Sequence, residues 1–137
     1  MEYYKGRMDD LMRAYDEYIS SCDYIRMSEV YKIIVNMPSR RFWVSDIRAA
    51  LIISAMMRGK TDLSTMCPLK KEMYEEIYNR VFKLQEEYPE LTISELCAKV
   101  IAQPAPKFYL TPGSAKVMVC KARKQWIQEK WKRLRLL

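Results

Sequence analysis

Two short segments combine the residue types that contact nucleic acid. Ser39-Arg40-Arg41-Phe42-Trp43 and Pro106-Lys107-Phe108-Tyr109 each set cations beside aromatic rings. Aromatic faces can stack on unpaired bases while Arg or Lys contacts phosphate. A third stretch, Lys121 to Leu137, carries Lys121, Arg123, Lys124, Lys130, Lys132, Arg133 and Arg135 together with Trp126 and Trp131. Lys116 lies just upstream of it. The candidate phosphate contacts are therefore Arg40, Arg41, Lys107, Lys116, Lys121, Arg123, Lys124, Lys130, Lys132, Arg133 and Arg135. The candidate stacking or partner contacts are Trp43, Tyr109 and Trp131.

Charge is distributed in keeping with that set. The last 23 residues hold eight of the 24 basic residues and only Glu129 of the 17 acidic ones. The net charge of +7 thus lies entirely in this segment, and the first 114 residues balance. A localised cationic excess is the footprint of a polyanion partner.

Other chemistries find little support. The chain has no histidine, no nucleophile beside a base and no glycine-rich phosphate loop, so no enzyme activity is expected and no cofactor is implied. Cys22, Cys67, Cys97 and Cys120 are too scattered for a structural zinc site. They fit reduced thiols in a cytoplasmic protein. The first residues, Met1 to Lys5, lack the apolar run of a signal peptide. The longest apolar stretch, Ala49 to Met57, is too short to span a bilayer.

Helices must position these residues. Few glycines, ten methionines and the absence of strand alternation point to an all-α fold. A first helix is expected over about 5–20 and a second over 27–37, stopped by Pro38. Ser45 caps a third, which runs to about Arg58 and ends at Gly59. A linker over 60–67 follows. Pro68 opens a fourth helix that runs to about Tyr88. Thr92-Ile93-Ser94-Glu95 reads as a capping box for a fifth, ending at Gln103. Thr111-Pro112 starts a sixth with no breaker after it.

The first three helices and the last three share a pattern at an offset of 66 residues. Pro38-Ser39-Arg40-Arg41-Phe42-Trp43-Val44-Ser45 falls on Pro104-Ala105-Pro106-Lys107-Phe108-Tyr109-Leu110-Thr111, and Ala49 falls on Ala115. The expected architecture is a single domain, 1–137, forming a six-helix bundle of two pseudo-symmetric three-helix repeats. The repeats span 5–58 and 71–124, with a basic C-terminal helical extension over 125–137. Helix 45–58, apolar all round, should lie buried near a central pseudo-twofold axis. Phe42 and Phe108 should plug the core, with Val44 and Leu110 as hydrophobic staples. Trp43 and Tyr109 should be more exposed, leaving the neighbouring cations free for phosphate.

The repeated string resembles a motif of small helical proteins of Bacteroidetes genomes, prophages and mobile elements. The resemblance covers the two helix–loop–helix segments and implies no activity for any residue. It adds weight to a mobile-element DNA or RNA protein.

Two function classes follow. The first is a nucleic-acid-binding protein, DNA or RNA, acting through the basic C-terminal helix. It includes a helix-turn-helix-like form in which Ile93 to Gln103 positions the helix from Pro112. The eight-residue connection, 104–111, is longer than the standard turn of three or four. The second is a helical adaptor or assembly factor docking on a protein through Trp131, because Ile127, Trp131 and Leu134 stack at i, i+4, i+7. A basic helix lying on a membrane surface has the same composition.

Overall fold

The computed structural model describes residues 2–60 and 65–136, the side chains from Lys5 onward. Met1, residues 61–64 of the expected linker, and Leu137 lie outside the described residues. The described residues are all-helical, with no named strand: α1 (Glu2–Ser21), α2 (Met27–Ile34), α3 (Asp46–Met57), α4 (Pro68–Glu87), α5 (Ile93–Ile101) and α6 (Pro112–Arg135).

Caps set these boundaries. Ser45 accepts from the backbone N–H of Arg48, and Thr111 accepts in the same way from Ser114. Thr92 and Glu95 form the reciprocal capping box on α5. Each such cap is worth about 1 kcal/mol. Pro68 opens α4 in its first turn, where no N–H is missed. Gly59 ends α3 with φ +65°, a left-handed conformation that costs glycine nothing. The helices before Pro38 and Pro104 stop sooner than expected. α2 ends at Ile34 and α5 at Ile101, and the following residues tighten into turns such as Met37 N–H to Ile34 O and Gln103 N–H to Val100 O. Proline excludes helical geometry from its predecessor, and i→i+3 bonds satisfy the last carbonyls.

The chain forms two compact units, 1–37 with 110–137 and 38–109. Their boundary falls at Pro38 and after Tyr109, within the two aromatic-basic loops. The first unit therefore joins α1 and α2 to α6, and all three pack on one another. Leu11, Ala14, Val30, Ile34, Ala115 and Val119 are fully buried there. Tyr15 stacks on Tyr31 at 6.4 Å. Asp10, also buried, accepts two hydrogen bonds from Arg13 at 3.0 and 2.7 Å.

The second unit joins α3, α4 and α5, again with every pair in contact. Its core holds Phe42, Ala49, Ile53, Ile77, Val81, Leu96, Cys97 and Val100, all fully buried. Two loop residues, Ser39 and Ala105, exchange both backbone hydrogen bonds at 3.0 Å as an isolated antiparallel bridge. The buried Ser39 hydroxyl lies 2.8 Å from the Arg41 carbonyl and 3.3 Å from that of Lys107, so one proton serves both strands of the loop pair.

One expectation fails outright. α3 is not buried on all sides: Ala49 and Ile53 form its buried seam, while Ile47 and Leu51 are 73% and 63% exposed. The helix packs on α4 and α5 from one side only, so apolar residues all round its axis do not imply burial all round. The helix over 93–103 and the helix from Pro112 fall in different units: α5 belongs to one and α6 to the other.

Candidate nucleic-acid interface

The loop cations come first, because they stand beside the aromatics. Arg41 is half-buried. Its Nε donates to the Phe42 carbonyl at 3.2 Å and its Nη2 to the Val44 carbonyl at 3.1 Å, with the guanidinium 5.1 Å from the Trp43 ring. Lys107 is half-buried too, in an ion pair with Glu72 at 2.6 Å and 5.5 Å from the Tyr109 ring. Both were expected to be free for phosphate, and both are committed to internal contacts. Arg40 is exposed.

The aromatics follow the same logic. Phe42 and Phe108 are buried, as core plugs should be. Trp43 and Tyr109 are half-buried rather than exposed. Tyr109 stacks on Phe42 at 6.1 Å and has φ 56°. A left-handed backbone costs a tyrosine about 1–2 kcal/mol, so packing must hold it there. Burial pushes the Tyr109 hydroxyl up to about 12, with the Glu76 and Glu72 carboxylates adding to the shift. A ring this engaged is a poor platform for a base.

What fastens these loops is a ladder on α4. Glu72, Glu76 and Arg80 recur every four residues along one face. Glu72 holds Lys107. Arg80 pairs with Glu76 at 2.9 Å, donates to the Pro104 carbonyl at 2.9 Å and sits 4.9 Å from the Phe42 ring centroid. Arg80 is a functional residue of the loop region that its own sequence neighbourhood does not single out. A Glu four residues before an Arg marks only a helix-surface pair, and the tertiary partners are not local.

The C-terminal cations stand in a different situation. Ala115 and Val119 anchor α6 in the first unit, and Ala122 is half-buried. From Arg123 to Leu136 every residue is exposed, although the helix continues to Arg135. Lys124, Lys130, Lys132, Arg133 and Arg135 all lie on this stretch, and Lys116 and Lys121 are exposed on the anchored part. Lys132, Arg133 and Arg135 occupy the last turn, where cations complement the helix dipole. Trp126 and Trp131 are 62% and 59% exposed, and Lys130 sits 5.2 Å from the Trp126 ring. Along the helical spacing Ala115, Val119, Ala122 and Trp126, burial is complete at the first two, partial at Ala122 and lost at Trp126. Trp126 belongs to the same unit but is exposed.

Among the described residues no cluster of three or more His, Cys, Asp or Glu could hold a metal, and no helix is long and apolar enough to cross a membrane. Comparison with known proteins returns no match, whether to a family model, a curated protein or a solved structure.

Proposed function

We propose that this chain is a non-enzymatic nucleic-acid-binding protein of a phage or mobile element, acting through the exposed end of α6. The observation that carries this reading is the coincidence of charge and exposure. The whole cationic excess lies from Ala115 onward, and α6 holds six basic residues and one acidic residue on a stretch, 123–136, in which every residue is exposed. Desolvating such a segment against an apolar partner is costly, whereas phosphate replaces its counterions. Titrating labelled nucleic acid with the full chain at increasing salt tests it. A steep fall of affinity with salt is expected, each phosphate contact adding roughly 0.7–0.9 to the log–log slope. A flat response, or no binding, removes the reading.

A second reading has its own observation. Ile127, Trp131 and Leu134 form an exposed apolar strip on the same stretch, as an adaptor helix docking on a protein would. Trp131→Ala separates the two. It leaves the salt slope of an electrostatic arm intact, whatever apolar contact it removes, and disables a docking helix.

The same proposal covers the construction of the chain. Residues 66 apart share burial and caps: Phe42 and Phe108, Ala49 and Ala115, Val30 and Leu96, Ser45 and Thr111. The Ser39–Ala105 bridge joins two residues at that same offset. We read this as a duplicated three-helix module in which each unit takes two helices from one copy and the third from the other. The segment past Gln125 then has no counterpart in the first copy, whose third helix stops at Gly59, and is an addition suited to binding.

A further inference from the structure

We infer that the exposed end of α6 docks lengthwise in the major groove of B-form DNA, with its two flanks of cations on the phosphates of opposite strands. This rests on the nucleic-acid reading and goes further, to the form of nucleic acid.

The argument starts from the helix surface. At about 100° per residue, Arg123 and Lys130 lie about 120° round the axis from Lys124 and Arg135. Between the two sets lie Ile127, Trp131 and Leu134. The surface is therefore an apolar strip with a cationic flank on each side. Lys116, seven residues before Arg123, continues one flank toward the anchored part, and Lys132 widens the other. Every one of these side chains is exposed.

Two flanks call for two backbones. A single strand offers one, and proteins that hold it combine a cationic groove with several stacking rings. This surface is convex and carries one ring, Trp131, between its flanks. The second tryptophan, Trp126, falls outside the strip, beside Lys130. A duplex meets the requirement. An α-helix with side chains is about 10–12 Å across and the B-form major groove is about 12 Å wide, so the helix enters and its flanks face the bordering phosphates. The exposed stretch rises about 20 Å, enough to follow the groove for several base pairs. The A-form major groove of duplex RNA is too narrow and deep to admit it.

The strip also sets the kind of recognition. Ile127, Trp131 and Leu134 can touch base edges and thymine methyls but cannot donate or accept the paired hydrogen bonds that distinguish bases. Binding should be duplex-selective and tolerant of sequence. A bilayer surface is less well matched, since a helix lying in it buries a broad apolar face. Here cations close in on both sides of three residues.

The test uses the full chain and labelled probes of about 20 nucleotides or base pairs at one moderate salt concentration: duplex DNA of two unrelated sequences, single-stranded DNA and duplex RNA, with phosphatidylserine vesicles in parallel. Duplex DNA of either sequence is expected to bind about tenfold or more tightly than the other two nucleic acids. Arg123→Gln with Lys130→Gln, and Lys124→Gln with Arg135→Gln, should each weaken duplex binding by a similar factor, with helix content unchanged by circular dichroism. Equal or tighter binding of single strands or duplex RNA overturns the groove-docking inference and leaves the nucleic-acid reading standing, as does a silent pair on either flank. Vesicle binding without binding of any nucleic acid overturns both.

Discussion

The aromatic-basic loops and the end of α6 are built from the same kinds of residue and put them to opposite uses. In the loops, Arg41 and Lys107 turn inward onto carbonyls, a carboxylate and rings, and the chain gains a fastened core. On α6, the cations from Arg123 onward are exposed to solvent. Composition alone treats the two alike. The difference is whether a neighbouring element supplies acceptors. The loop carbonyls of Phe42 and Val44 take Arg41 and Glu72 of α4 takes Lys107, while the described residues from 123 to 136 are all exposed.

The sharpest way to test the structural half of that contrast is to empty the core beneath the loops. Phe42→Ala removes a fully buried ring that also carries Tyr109 and Arg80 on its faces, and should cost about 3–5 kcal/mol. Phe108→Ala should cost a similar amount, since that ring is 4% exposed. Denaturant unfolding measures both. A variant that melts like the wild type but no longer binds nucleic acid would mean that the ring is a contact and not a plug.

The α4 ladder is the next target. Arg80→Ala deletes an ion pair, a hydrogen bond to the Pro104 carbonyl and a cation–ring contact, for an expected loss of about 1–3 kcal/mol. Arg80→Lys should recover only part of it, because one ammonium cannot reproduce the planar guanidinium geometry. Full recovery would show that charge, not the fork, holds the loop.

A smaller effect concerns pH. Burial pushes the Cys97 thiol up to about 11 and the Tyr109 hydroxyl up to about 12. Both groups ionise more readily in the unfolded chain, from ordinary values of 9.0 and 10.0. The stability that their neutral forms provide is complete below about pH 9 and is lost as pH rises through about 9–12. Melts across that window should show the decline, and Tyr109→Phe should flatten its upper part.

Much of this fold is legible in local chemistry. Caps at Ser45, Thr92 and Thr111, the proline at the start of α4 and the glycine after α3 each act within a few residues, so a linear reading finds them. The string repeated at an offset of 66 residues also marks the plugs Phe42 and Phe108. What cannot be read locally is which helix completes which unit. α3 carries apolar residues on every side, which suggested full burial, yet Ile47 and Leu51 face solvent because its partners approach from one side. Beyond Glu76, the partners of Arg80 lie 23 and 24 residues away in the chain, and the ion-pair partner of Lys107 is Glu72 on α4. Availability of a cation is a tertiary property, and for this reason the loop candidates and the α6 candidates looked equivalent in sequence.

One paired measurement tests the central claim that the α6 cations bind and the loop cations fasten. Salt-dependent affinity for nucleic acid and the thermal midpoint would be compared for two variants, Lys130, Lys132, Arg133 and Arg135 all changed to Gln, and Arg41 and Lys107 both changed to Gln. The first should reduce the log–log salt slope by about three with the midpoint unchanged. The second should lower the midpoint and leave the slope of the folded protein as it was. A loop variant that flattens the slope while the α6 variant binds like the wild type would contradict the account.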